Sequence, residues 1–257
     1  MTGIYFSGTG NTKYCVSKFL EYYDNVSQME LYSIEEDICV EKLKESSDII
    51  FGYPVYYSDM PMIVRDFINN HSTLFADKSI FIIATMGLFS GDGTGCSARL
   101  FRKYGANILG GLHLKMPDCI GDVKALKKTI EKNRKIVKDA DCKIEQAVRS
   151  IKNKKYSQDG LTFINHFAGL FGQRLWFYRK PYKLKEKLKI DYEKCVSCGK
   201  CSDICSMGNI KMIENKPMPQ NNCTCCYRCF SYCPQKAITL LGKKVIEQST
   251  IDKYVNI

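Results

Sequence analysis

Nine of the 14 cysteines fall between Cys195 and Cys233, and eight of those nine form two runs of one spacing. Cys195, Cys198, Cys201 and Cys205 make the first run; Cys223, Cys226, Cys229 and Cys233, followed by Pro234, make the second. Each member of the first has a counterpart 28 residues on, and Ile210 and Ile238 share that offset, so the stretch is an internal repeat. Three cysteines with two residues between neighbours wrap one corner of a metal–sulfur cube with short loops. The fourth is carried away from that corner by the turn that follows. Zinc sites use two separated pairs, so a four-thiolate run repeated whole favours iron–sulfur chemistry over zinc. Cys225, beside Cys226, is an extra thiol, read as an uninvolved neighbour.

A second chemical feature stands near the other end of the chain. Ser7, Gly8, Thr9, Gly10, Asn11 and Thr12 follow the short apolar run Gly3 to Phe6 and precede a helical pattern carrying Cys15, Val16, Phe19, Leu20 and Tyr23 on one face. Gly8 and Gly10 let the backbone turn tightly and approach a ligand. The hydroxyl and amide side chains add donors, and the start of the helix aims unpaired N–H groups and a positive dipole end into the loop. This combination suits a dianionic phosphate. It is not a P-loop, since no Gly-Lys-Ser/Thr closes it, nor the dinucleotide fingerprint, since Lys13 stands where a third glycine belongs.

The elements around this loop alternate strand and helix. Apolar runs at Met29–Tyr32, Asp48–Tyr53, Ser79–Thr85 and Gly111–Met116 read as further strands. Helices are expected at about Met62–Asn70, Cys96–Tyr104 and Asp122 to about Ile151. Five strands so separated imply a parallel sheet covered on both faces. Ligands of such sheets bind at the carboxyl ends of the strands, which places loops 7–12, 54–61 and 86–95 together.

The chain has 257 residues and a formal net charge of +11. Residues 1–150 hold 19 basic and 19 acidic residues, so the excess lies in 151–257, and within it mainly in 151–190, with 10 basic against 2 acidic. The change in charge and cysteine content implies two domains with a boundary near 150–190. The basic residues follow no nucleic-acid motif, so nucleic acid is not an expected partner. No run of about 18 apolar residues suggests a membrane span, and the start has no secretory pattern. The expected location is the cytoplasm, where thiols stay reduced and many cysteines signal metal. Cys15, Cys39, Cys96, Cys119 and Cys142 read as small buried hydrophobes; His71, His113 and His166 are scattered and are assigned no metal.

Over roughly residues 1–150 the sequence resembles the flavodoxin family. Ser7–Thr12 is similar to that family's loop for the phosphate of flavin mononucleotide (FMN), and 53–61 to its second flavin loop, with Pro54, Val55, Tyr56 and Tyr57. The loop holding Thr85, Met86, Gly87, Leu88 and Phe89 occupies the place of the third. The resemblance implies a flavodoxin-like doubly wound, five-stranded parallel α/β sheet with FMN against Tyr56, Tyr57 and Phe89. Residues 186–245 resemble a bacterial two-cluster ferredoxin, implying a small α+β domain with two [4Fe–4S] clusters. Crossed ligation is known in that family. It assigns Cys195, Cys198, Cys201 and Cys233 to one cluster and Cys223, Cys226, Cys229 and Cys205 to the other. Ser206 departs from the proline that usually follows the fourth cysteine, which implies a less rigid turn there.

The whole resembles flavodoxin–ferredoxin fusions. The expected division is 1–150 for FMN, 151–185 as a basic, aromatic connecting segment and 186–257 for the clusters. The function implied is electron transfer between FMN and the clusters, serving redox partner proteins. A flavin reductase acting on a small acceptor such as a quinone, and a cluster-bearing scaffold with an empty flavodoxin-like domain, stay as alternatives. The connecting segment, with Phe163 to Tyr178 followed by basic residues, reads as a packing helix with a solvated tail. The alternatives there are a docking face for an acidic partner or peripheral contact with an anionic membrane surface.

Overall fold

The computed structural model describes residues 1–24, 29–88, 92–162 and 184–255. Strands β1 (Thr2–Tyr5), β2 (Leu31–Ser33), β3 (Asp48–Pro54), β4 (Ser79–Met86) and β5 (Asn107–Lys115) form one parallel sheet in the order β2-β1-β3-β4-β5. Alternate residues of a strand face opposite sides. In β4, Ile80 and Ile82 therefore enter one core with α2 (Ile38–Glu45), α3 (Met62–Asn70) and α4 (Gly93–Lys103), while Phe81 and Ile83 enter the other. The second core is closed by α1 (Asn11–Asp24) and α5 (Ile130–Lys152). This is the flavodoxin-like doubly wound fold.

Several expected boundaries shift. β5 starts at Asn107 rather than Gly111, and α4 at Gly93 rather than Cys96. The strand expected at Met29–Tyr32 lies at Leu31–Ser33, and α2 had no counterpart in the expectation. The long helix begins at Ile130, where the Thr129 hydroxyl accepts a hydrogen bond from the Lys132 N–H, and not at Asp122. Asp122 is instead buried. Its carboxylate accepts hydrogen bonds from the backbone N–H groups of Leu240 (2.7 Å), Leu241 (2.8 Å) and Gly242 (3.0 Å), and from the Tyr227 hydroxyl (2.9 Å). Four donors satisfy this carboxylate, a stronger setting than an exposed first helical turn would offer. Cys142 is exposed and Cys119 only part-buried, so neither is the buried hydrophobe expected.

The C-terminal half builds two small antiparallel ribbons, β6 (Lys189–Ile190) with β9 (Ile238–Thr239) and β7 (Ile210–Ile213) with β8 (Lys216–Pro219). They surround the short helices α6 (Lys200–Asp203) and α7 (Arg228–Tyr232). The 28-residue repeat is visible in the backbone. Left-handed φ occurs at Ser197 and Cys225, at Gly199 and Tyr227, and at Gly208 and Lys236. The chain then returns: Ile251 and Tyr254, beside and within α8 (Asp252–Val255), pack into the core of α1 and α5. Among the described residues no helix is long and apolar enough to cross a membrane.

Candidate functional site

The loops after β1, β3, β4 and β5 meet at the carboxyl edge of the sheet. The Thr12 and Thr85 hydroxyls share a 2.8 Å hydrogen bond, and the Asn11 side-chain amide donates to the Pro117 carbonyl at 2.8 Å. These bonds tie the first loop to the third and the fourth. The second loop is a two-residue turn, closed by hydrogen bonds from the Tyr56 N–H to the Asp59 carbonyl (2.9 Å) and back (3.0 Å). Tyr57 and Ser58 both adopt positive φ there. This conformation costs a non-glycine residue about 1 kcal/mol or more and is characteristic of functional loops.

Together the loops enclose a cavity of about 470 Å³, within the range of cofactor sites. Ser7, Gly8, Thr9, Asn11 and Thr12 line its polar end. Pro54, Val55, Tyr56 and Tyr57 line one wall, and Thr85, Met86, Gly87 and Leu88 another. Gly10 supplies the positive φ of the turn, against Ile251. Phe89 lies outside the described residues, as does the stretch from Phe163 through Tyr178.

A phosphate fits the polar end. The Ser7 hydroxyl is buried yet has no hydrogen-bond partner among the described residues. It lies beside the N-terminus of α1, a 14-residue helix whose first N–H groups have no partners within the helix.

The sequence reading missed the fourth loop, from Met116 to Ile120, which lines the same cavity. Its position after a parallel strand was the available signal. Burial raises the Asp118 carboxyl above the ordinary carboxylate range. Also missed were Cys225 and Tyr227, two residues of the cysteine repeat that form part of the cavity wall.

The eight repeat cysteines gather around two further small cavities. Cys195, Cys198, Cys201 and Cys233 line one; Cys205, Cys223, Cys226 and Cys229 line the other. Backbone N–H groups already point at four of the sulfurs, in matched pairs. Ser197 donates to Cys195 (3.4 Å) as Cys225 does to Cys223 (3.3 Å), and Asn209 donates to Cys205 (3.2 Å) as Ala237 does to Cys233 (3.4 Å). Such N–H groups stabilise thiolates. Burial pushes the free Cys201 and Cys226 thiols up to about 11, so binding a metal there releases protons. No three His, Cys, Asp or Glu side chains among the described residues are placed to hold a single metal ion.

Arg228 joins the two halves. Its guanidinium donates to both Glu35 carboxylate oxygens (2.6 and 2.5 Å), to the Ser7 carbonyl (2.8 Å) and to the Ile204 carbonyl (3.2 Å). Gly8 is pressed against the Cys226 carbonyl, so a Cβ there would collide with backbone. The Ile251 N–H donates to the Thr9 carbonyl at 3.0 Å. Loop 7–12 and the second cysteine run are therefore one packed unit.

Residues 4–101 match the family model of the flavodoxin domain, and residues 188–211 match that of the 4Fe-4S binding domain. The second cysteine run lies beyond the latter match. No curated protein matches the chain. Solved structures similar to it include the two-electron reduced flavodoxin of Megasphaera elsdenii, at 21% identity, covering 44% of this chain and 85% of that one with a TM-score of 0.40. A flavodoxin of Fusobacterium nucleatum bound to flavin mononucleotide has 15% identity, 60% and 98% coverage and a TM-score of 0.43. A flavodoxin from the domain Archaea has 18% identity, 59% and 99% coverage and a TM-score of 0.40.

The two domain matches together point to a redox function of the electron-transfer class. This chain carries a flavodoxin domain followed by a 4Fe–4S binding domain.

Proposed function

We propose that the chain holds one FMN and two [4Fe–4S] clusters and conducts electrons between the flavin and an external one-electron carrier. FMN exchanges electrons in pairs or singly, and each cluster carries one at a time. The cavity at the carboxyl edge of the sheet receives the flavin, with Ser7 to Thr12 binding its phosphate and Tyr56 and Tyr57 walling its ring. Cys205, Cys223, Cys226 and Cys229 hold the cluster next to it; Cys195, Cys198, Cys201 and Cys233 hold the outer one.

One observation carries this reading: Tyr227 lines both the flavin cavity and the inner cysteine cavity. The two cavities thus share a wall residue. Burial supports the direction of the relay. Cys223, Cys226 and Cys229 are buried, Cys226 within a core of the flavodoxin domain, whereas Cys198 is exposed and the neighbouring Val196 is 61% exposed. The outer site therefore faces a partner and the inner site faces the flavin.

Anaerobic purification with iron, sulfide and flavin analysis tests the proposal. About eight iron atoms per chain follow from two four-iron clusters, together with one FMN. Iron without flavin would remove the flavin half of the proposal, and four iron atoms would remove one cluster.

A further inference from the structure

The two cysteine cavities are copies of one another, so their linings compare position by position. Asn209 in the inner cavity corresponds to Ala237 in the outer, Ser206 to Pro234 and Thr224 to Val196. The inner cavity is polar at these three places where the outer one is apolar, while Met207 in the inner and Gln235 in the outer reverse the order. The backbone bonds to sulfur are matched, so the difference lies in the side chains.

Asn209 is fully buried. Its carbonyl accepts a hydrogen bond from the Gln220 N–H at 2.7 Å, and its N–H donates to the Cys205 sulfur at 3.2 Å. The side-chain oxygen accepts from the Asn222 N–H, which settles the orientation of the amide. The amide nitrogen is left buried with no partner among the described residues, in a residue that lines the inner cavity. A buried donor without an acceptor is costly, and native proteins retain one where something else completes it. The Ser206 hydroxyl, in the same lining, is likewise without a partner.

We infer that the Asn209 side-chain amide donates a hydrogen bond to a sulfur of the inner cluster and raises that cluster's reduction potential. The inference rests on the cluster assignment proposed above. A donor aimed at sulfur stabilises the extra negative charge of the reduced cluster, and hydrogen bonds to sulfur are among the determinants of cluster potential. Burial works the other way, since a low-dielectric surrounding disfavours added charge. The inner cluster, being the more buried, needs this compensation to exchange electrons with the exposed outer cluster. Asn209 is thus a positioning and tuning residue and not a ligand.

The full-length protein, purified anaerobically, tests this by redox titration followed by electron paramagnetic resonance, with iron counted in each sample. Asn209→Ala removes the donor. Asn209→Asp keeps the oxygen that Asn222 needs, replaces the nitrogen donor and adds a negative charge, so its shift should exceed that of Asn209→Ala. Each is expected to move one of the two one-electron steps to lower potential, with the other unchanged. Each should also remove one exchangeable-proton hyperfine coupling from the reduced inner cluster. Unmoved steps at full iron content, or equal shifts of both, would overturn the inference and leave the cluster assignment standing. Wild-type protein without cluster iron would instead overturn the assignment itself.

Discussion

Ser7 separates a ligand-binding role from a structural one, because the two predict opposite signs. Its hydroxyl is buried at the end of β1 and bonded to nothing among the described residues. In flavin-free protein, Ser7→Ala removes an unsatisfied polar group, which costs about 1–3 kcal/mol when buried. The variant should therefore be as stable as the parent or more so, with Tm raised by about 2–4 °C for each kcal/mol gained in a chain of this size. With FMN bound the sign reverses. A hydrogen bond to a charged acceptor contributes about 1.5–3 kcal/mol, and each 1.4 kcal/mol is a factor of ten. The Kd for FMN should rise about 10- to 150-fold. Quenching of flavin fluorescence on titration reads the affinity, and thermal unfolding of the flavin-free protein reads the stability. Riboflavin, which lacks the phosphate, serves as the control and should bind parent and variant alike. A flavin-free variant that melts several degrees lower while binding FMN as tightly as the parent would refute the reasoning.

Three other perturbations follow from the contacts between the halves and from burial. Arg228→Ala leaves Glu35 and the Ser7 carbonyl without their charged partner; removing charged hydrogen bonds at this partly buried site should cost about 2–3 kcal/mol, read as a lower denaturant midpoint together with weaker FMN binding. Gly8→Ala drives a methyl into the Cys226 backbone, so FMN binding and the inner cluster should be lost together while the outer cluster is retained, as counted by flavin and iron content. His113 is held below its ordinary pKa by burial, with Asp159 pulling the other way, and its ring accepts a hydrogen bond from the Thr94 N–H at 3.2 Å. The unfolded chain takes up this proton more readily, so the contribution is complete above an unfolded pKa of about 6.5 and is lost as pH falls from there through the folded value. His113→Asn should flatten the dependence of the unfolding midpoint on pH in that window.

The legible and illegible parts of this protein divide by the range of the interactions involved. Cysteine spacing and the glycine-rich loop encode chemistry within a dozen residues, where short loops alone constrain the geometry. The continuous apolar runs of β3 and β4 marked buried parallel strands because both faces of each are covered. The short helix α2 was not legible: it buries only Cys39 and Leu43, too few positions to mark a period. Asp122 misled for a related reason. It precedes a true helical pattern, and nothing local reveals that the N–H groups at 240–242 will bind its carboxylate.

The sequence by itself determined the two cysteine runs, their 28-residue repeat, the glycine-rich loop 7–12 and the alternation of strand and helix. Tertiary structure alone decided that Tyr227 and Cys225 line the cavity at the carboxyl edge of the sheet, that Arg228 bonds the Ser7 carbonyl, and that the Asn209 amide nitrogen is buried without a partner among the described residues. Those contacts join residues up to more than 200 positions apart, as Arg228 and Ser7 are. No local propensity or spacing carries such information; packing two cores against each other creates it.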